Sequence, residues 1–296
     1  MDRIIRCITS DGSIMATAID STDLVYKASV IHKTSPVASA ALGRLLSATS
    51  MMGSQLKQKD AFVNIRIMGD GPLGPVIAVS DSSGNVKGYV GNSDCVTTHY
   101  ENGKLNVGEA VGKNGVLNVM KDLGTGEPYI GTVPLVSGEI AEDITSYFAN
   151  SEQIPTVCSL GVLIDKETKQ VLLSGGLLIQ LLPGAFDDTI DKLEKNIESL
   201  ESVTAMLLKG MSIEDMVKTA LKGFEVEILD EYEVKYVCSC SRDTISDLIL
   251  KMPDEEIADM IEKDHKAEAF CHFCNKKYEF SEKDLRDLLD KKQKVE

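Results

Sequence analysis

Over residues 1 to about 182, apolar and polar positions alternate with the period of two that marks half-buried strands. The runs 4–8 and 13–19 flank Asp11-Gly12, a pair suited to a tight hairpin. In 62–68, Val63, Ile65 and Ile67 share one face, and Gly69-Asp70-Gly71-Pro72-Leu73-Gly74-Pro75 turns the chain into 76–80. Further strands are predicted over 86–90, 116–120, 129–135, 156–164 and 171–182, giving a mixed or antiparallel sheet. Two helices interrupt them. One starts at Ser35-Pro36, an N-cap followed by proline at the first helical position, and carries Ala40, Ala41, Leu45, Ala48 and Met52, small enough to pack closely on a sheet. The other follows Ser137-Gly138 and places Ile140, Ile144, Tyr147 and Phe148 on one side. The fold class expected is α+β.

After Leu182-Pro183-Gly184 the period changes. Ile190, Leu193, Ile197, Leu200, Val203 and Leu207 recur every three or four residues, predicting one helix from about Asp188 to Gly210, with Asp187, Asp188 and Asp191 at its positive end. Ser212-Ile213-Glu214-Asp215 resembles a capping box for a second helix, with Met216, Val217, Ala220 and Leu221, ended by Gly223. The last segment opens with extended 224–228 and 233–237. Helices over 243–252 and 254–263 then flank Pro253, and a final helix capped by Ser281 carries Leu285, Leu288 and Leu289. The expected organisation is a core domain 1–182, an acidic helical linker 183–223 and a C-terminal domain 224–296. The linker's apolar stripe must rest on something, because isolated helices of this length are marginal.

A chain of 296 residues with 43% hydrophobic content supports one large core and a smaller one. The opening residues Met1 to Cys7 lack a signal-peptide layout, and no apolar run approaches the roughly 20 residues of a membrane span, so a cytoplasmic protein without membrane partners is expected. A net charge of −15 opposes a nucleic-acid surface, since cationic side chains supply most of that affinity. It also keeps a chain in solution when apolar surface is exposed.

Seven cysteines suit thiols or metal ligands better than a disulfide framework. Four of them, in Cys238-Ser239-Cys240 and Cys271-His272-Phe273-Cys274, have the spacing of a four-thiolate Zn2+ site. Such a site leaves the metal no open position, so it is not expected to be catalytic, and the chain is not expected to be an enzyme. Its roles reduce to a staple, a redox switch or a thiol-disulfide exchange centre. Exchange of the thioredoxin type needs the CxxC at a helix start, whereas residues 275–280 read as a returning strand. A zinc ribbon that binds nucleic acid is a further alternative, opposed by the acidity of this segment. His272 could act as a ligand, yet four thiols are already present. Metal-held thiolates react with oxidants, as thiols do not. Structural zinc contributes on the order of 10–16 kcal/mol to a small domain. A core of ~70 residues supplies only ~3–5 kcal/mol, so metal loss should unfold it.

The remaining chemistry-bearing residues form no pattern. Cys7 and Cys158 lie in apolar strands and, like Cys95, read as structural. The run 69–74 lacks a following GK[ST] and reads as a turn. His32 and His99 have no neighbouring carboxylate or cysteine pattern.

Beyond these features, Ala38-Ser39-Ala40-Ala41-Leu42-Gly43-Arg44, Gly71-Pro72-Leu73-Gly74, Leu135-Val136-Ser137-Gly138-Glu139-Ile140, Ser151-Glu152-Gln153-Ile154-Pro155 and Gly175-Gly176-Leu177-Leu178-Ile179-Gln180-Leu181-Leu182-Pro183-Gly184 stand in that order before the CxC and CxxC pairs. In this combination the chain resembles the heat shock protein 33 family of redox-regulated holdase chaperones over nearly its whole length. The resemblance implies that the reduced protein holds one zinc through Cys238, Cys240, Cys271 and Cys274 and is inactive. Peroxide with heat, or hypochlorite, would then form the disulfides Cys238–Cys240 and Cys271–Cys274 and expel the metal. It further implies unfolding of the zinc domain and linker, a homodimer on activation, and ATP-independent holding of unfolding client proteins before hand-over to ATP-dependent chaperones.

The linker supplies a physical route to such a switch. If Ile190, Leu193, Ile197, Leu200 and Val203 pack on the core sheet, each gains roughly 1.5–3 kcal/mol, a narrow margin over ordering entropy. Glu194 and Glu198, like-charged at i,i+4, narrow it further. Their release would uncover apolar surface for clients on both linker and sheet.

Overall fold

Strands β1 (Arg3–Thr9) and β2 (Ile14–Asp20) form the hairpin expected around Asp11-Gly12. Gly12 takes φ 71°, and the Asp11 carboxylate accepts hydrogen bonds from the Thr9 hydroxyl and from both the backbone and the hydroxyl of Ser13. The computed structural model describes residues 1–293, in two compact units, Met1–Val237 and the chain from Cys238 onward.

Two five-stranded sheets build the first unit. One contains β3 (Phe62–Met68), β4 (Val76–Asp81), β5 (Val86–Val90), β6 (Val116–Asp122) and β7 (Tyr129–Pro134) in the order β5-β4-β3-β6-β7. The other joins β1 and β2 to β8 (Thr156–Ile164), β9 (Val171–Leu181) and β10 (Val226–Glu233) in the order β10-β1-β2-β9-β8. All pairings within both are antiparallel, so the α+β class holds in its antiparallel form.

Helix α1 (Thr22–His32) was not foreseen in the sequence pattern, because only Leu24, Val25 and Ala28 face the core. Its first turn is capped from a distance: the Asp2 carboxylate accepts from the backbone of Asp23 and Leu24, and burial pushes that acid up to about 6. Helix α2 (Pro36–Gly53) is capped by Ser35 and buried along nearly its whole length, packed against β3, β4 and β5 of one sheet and β8 and β9 of the other. Short α3 (Val107–Val111) and α4 (Ala141–Tyr147) complete this layer, with Asp143 accepting from the backbone of Val136, Ser137 and Ile140 at the start of α4.

The opposite face of the β1-β2-β9 sheet carries Ile5, Cys7, Ile14, Ala16, Ala18, Leu177 and Ile179. It is covered by α5 (Asp187–Glu198), α6 (Val203–Leu208) and α7 (Ile213–Ala220). The single helix expected from about Asp188 to Gly210 is therefore two: the chain leaves the helix at Ser199, and the Ser202 hydroxyl starts a new one by accepting from Ala205. The break lets α6 lie close over β8 and β9. There Gly161 and Gly175 are paired across the strands, and a Cβ on Gly161 would fall 2.8 Å from Thr204 Cγ2.

Residues 224–237, read as the start of the C-terminal domain, fall instead in the first unit. β10 is one continuous strand hydrogen-bonded along β1, and Val86 bridges to Tyr236. The second unit holds α8 (Arg242–Leu250), α9 (Asp254–Asp259), the antiparallel pair β11 (Lys266–Phe270) and β12 (Lys277–Ser281), and α10 (Glu282–Gln293). Its apolar core is small: Ile249, Ile257, Ile261, Tyr278, Phe280 and Leu285. Among the described residues no helix is long and apolar enough to cross a membrane.

Candidate metal centre and linker

Cys271 and Cys274 sit in the tight turn between β11 and β12. Cys271 donates its backbone N–H to the Lys276 carbonyl, and its own carbonyl accepts from Cys274 and Asn275, with Asn275 at φ 55°. This knuckle points the sulfurs the same way. The CxxC does not open a helix, so the dipole that activates an exchange thiol is missing. The second pair, Cys238 and Cys240, comes from the extended segment before α8, where Ser241 caps the helix by accepting from Thr244. Alternation along an extended chain puts residues two apart on one side.

The four Sγ atoms lie within 4.8 Å of one another. Across the motifs, Cys238 approaches Cys271 at 3.6 Å and Cys240 approaches Cys274 at 3.3 Å. A tetrahedral metal with sulfurs at ~2.3 Å has edges of about 3.8 Å, so this cluster fits a thiophilic ion with small adjustment. His272 is not in the group of candidate ligand atoms. None of the seven cysteines is joined in a disulfide. Burial tends to raise the Cys240 thiol, but a hydrogen bond from the Tyr278 hydroxyl and those of the neighbouring thiols bring it down to about 7. Burial and the same neighbours push Cys274 up to about 12, and burial raises Cys238. The Tyr278 hydroxyl thus favours the thiolate form of Cys240. A divalent cation would favour all four.

Outside this cluster, Cys7 is buried and Cys158 half-buried among apolar side chains, their thiols raised to about 11 and about 12 by desolvation. His32 meets the hydroxyl of Tyr236 at 3.0 Å, a packing role.

Of the linker stripe, the structure buries Leu193 and Val203 fully and leaves Ile190, Ile197 and Leu200 half-buried. Ile190, Leu193 and Ile197 border a cavity of about 530 Å³ over Thr156, Val157, Ile179 and Leu181. The firmer contacts come from residues outside the stripe: Met206, Ile213, Met216, Val217, Ala220 and Leu221 are all buried on the sheet. Helix α5 is fastened mainly at its side, where Lys192 and Asn196 donate to the carbonyls of Gly223 and Lys222. Two further residues escaped the sequence pattern. Arg3 pairs with Glu214, a contact across 211 positions that no local signal contains. Tyr278 touches Cys240; its signal is a tyrosine on the buried face of a strand, where a hydroxyl needs a partner.

Comparison with known proteins covers nearly the whole chain. The family model described as Hsp33 protein matches residues 2–281. The 33 kDa chaperonin of Alkaliphilus metalliredigens is 49% identical, over 97% of this chain and 98% of its own. That of Clostridioides difficile is 47% identical over the same shares. The crystal structure of the 33 kDa chaperonin of Thermotoga maritima superposes with a TM-score of 0.90 at 35% identity, covering 99% of each chain. On the family match over residues 2–281 and these near full-length relatives, the chain belongs to the Hsp33 family of chaperones.

Proposed function

We propose that this chain is a redox-regulated holdase of the cytoplasm that binds unfolding client proteins without ATP, with residues 183–223 as the releasable cover and the cysteine segment as the sensor. The observation that supports this most is a layered arrangement. Helices α5–α7 hide an apolar sheet face, and the chain then runs through β10 directly into Cys238.

In the reduced state Cys238, Cys240, Cys271 and Cys274 would hold Zn2+, which when bound keeps four thiolates together and fastens the knuckle to the CxC segment. The rest follows from the chain itself. Peroxide oxidises each motif to a disulfide, Cys238–Cys240 and Cys271–Cys274; each pair of thiolates gives up two electrons to one peroxide, which takes two protons from solvent and leaves as two waters. The thiolates that retain the metal are then gone. The small core around Ile257, Phe280 and Leu285 supplies ~3–5 kcal/mol, far below the ~10–16 kcal/mol that a structural zinc contributes, so the unit unfolds.

Within the linker, α5 is the least buried helix. Helix α5 buries only Leu193 and carries Glu194 and Glu198 one turn apart. Melting it uncovers Ile179 and Leu181 on the sheet and its own Ile190, Leu193 and Ile197, while a charge of −15 keeps the open form in solution. Dimerisation of the open form and hand-over of clients to ATP-dependent chaperones belong to the same reading. Hydrogen exchange before and after peroxide tests it: amides of α5–α7 should lose protection while β2 and β9 keep theirs, and a linker that stays protected would overturn it.

A further inference from the structure

The Tyr278 hydroxyl lies 3.1 Å from Cys240 Sγ and 3.0 Å from the Cys240 carbonyl, within donating distance of both. Its ring is buried in the core of the second unit with Phe280, two residues on and on the same face of β12. Across the strands it is paired with Ala269, two residues before Cys271, so one side chain reaches from the base of the CxxC knuckle to the CxC segment. The Lys276 ammonium stands 5.1 Å from the ring centroid. Of the four sulfurs, Cys240 is the one that this hydroxyl reaches.

Resting on the reading of the four cysteines as a zinc site, we infer that Tyr278 is a positioning residue of that site: its hydroxyl fixes the Cys240 sulfur and damps its reactivity toward oxidants. A hydrogen bond to a thiolate withdraws charge from sulfur, lowering its nucleophilicity, and fixes its direction. Groups that orient metal ligands in this way are commonly worth 10–100-fold in metal affinity. The same side chain couples sensor to core, because any movement of Cys240 pulls on a ring packed among Ile249, Ile257 and Phe280.

The test is Tyr278→Phe in the full chain, which keeps the buried ring and removes only the hydroxyl. Chelator competition should show zinc held about 10-fold more weakly. In the Co2+-loaded protein the sulfur-to-metal charge-transfer band should move to longer wavelength, since the sulfur lone pair is no longer stabilised. Alkylation mapped by mass spectrometry during zinc release should accelerate selectively at Cys240. Acceleration at all four cysteines alike, with an unmoved band, would mean general loosening and overturn the assignment, as would unchanged affinity, band and rates. A wild-type chain that binds neither Zn2+ nor Co2+ would instead sink the zinc reading on which the inference stands.

Discussion

The Arg3 guanidinium grips the Glu214 carboxylate with two parallel hydrogen bonds of 2.5 and 2.8 Å, joining strand β1 of the core sheet to the last linker helix. The same guanidinium reaches Glu231 on β10 at 2.9 Å. Arg3 therefore ties together the linker and the strand that runs toward Cys238, which makes this ion pair a fastening of the cover and not only a surface contact.

Glu214→Gln should loosen α7 by about 1 kcal/mol at neutral pH, the upper range for a partly exposed pair. Arg3's hydrogen bonds hold the Glu214 carboxyl down to about 2 from its ordinary 4.5. A depressed acid stabilises the fold fully above its unfolded value and ceases to do so as pH falls through its folded one. Protection of α7 amides should therefore decline between about pH 4.5 and about 2 in the wild type, and Glu214→Gln should remove that part of the decline. An identical acid profile in the two proteins would show that the pair does not fasten the linker.

Leu193→Ser and Val203→Ser each remove a fully buried contact of the cover, at a cost of about 2–5 kcal/mol for a large-to-small change of this kind. The double variant should suppress aggregation of a heat-unfolding protein while fully reduced, with zinc still bound. Leu193→Ser with Ile197→Ser should act in the same direction more weakly, because Ile197 is only half-buried. Aggregation unchanged by either reduced variant would remove the linker from the account.

Disulfide mapping after peroxide discriminates between two pairings of the cluster. Sulfurs of different motifs already stand close, Cys238 3.6 Å from Cys271 and Cys240 3.3 Å from Cys274. Bonds between them would staple the same two segments that a metal joins, and the unit would stay folded. Bonds within the motifs leave the segments free to part. Oxidative unfolding thus requires Cys238–Cys240 and Cys271–Cys274, and recovery of mainly cross-motif peptides would contradict it.

What the sequence made legible was local. The Asp11-Gly12 hairpin, the Ser35-Pro36 helix start and the Ser281 cap depend on neighbours within a few residues, and each stands where the pattern placed it. The four cysteines were legible because their spacing is itself the constraint. The misses were long-range. Helix α1 depends on Asp2 for its cap, β10 is held to the core by pairing with β1, and the break at Ser199 is fixed by how α6 seats over Gly161 and Gly175. An uninterrupted apolar period therefore overstated the length of one helix and understated the reach of the core.

The most direct measurement follows one reduced, zinc-loaded preparation through peroxide treatment, reading bound zinc, free thiols and suppression of client aggregation together. Loss of one zinc with four thiols per chain, accompanied by the appearance of suppression and reversed by thiol reductant with zinc, is the predicted result. Zinc retained with no gain in suppression, or suppression already complete in the reduced protein, would contradict the account.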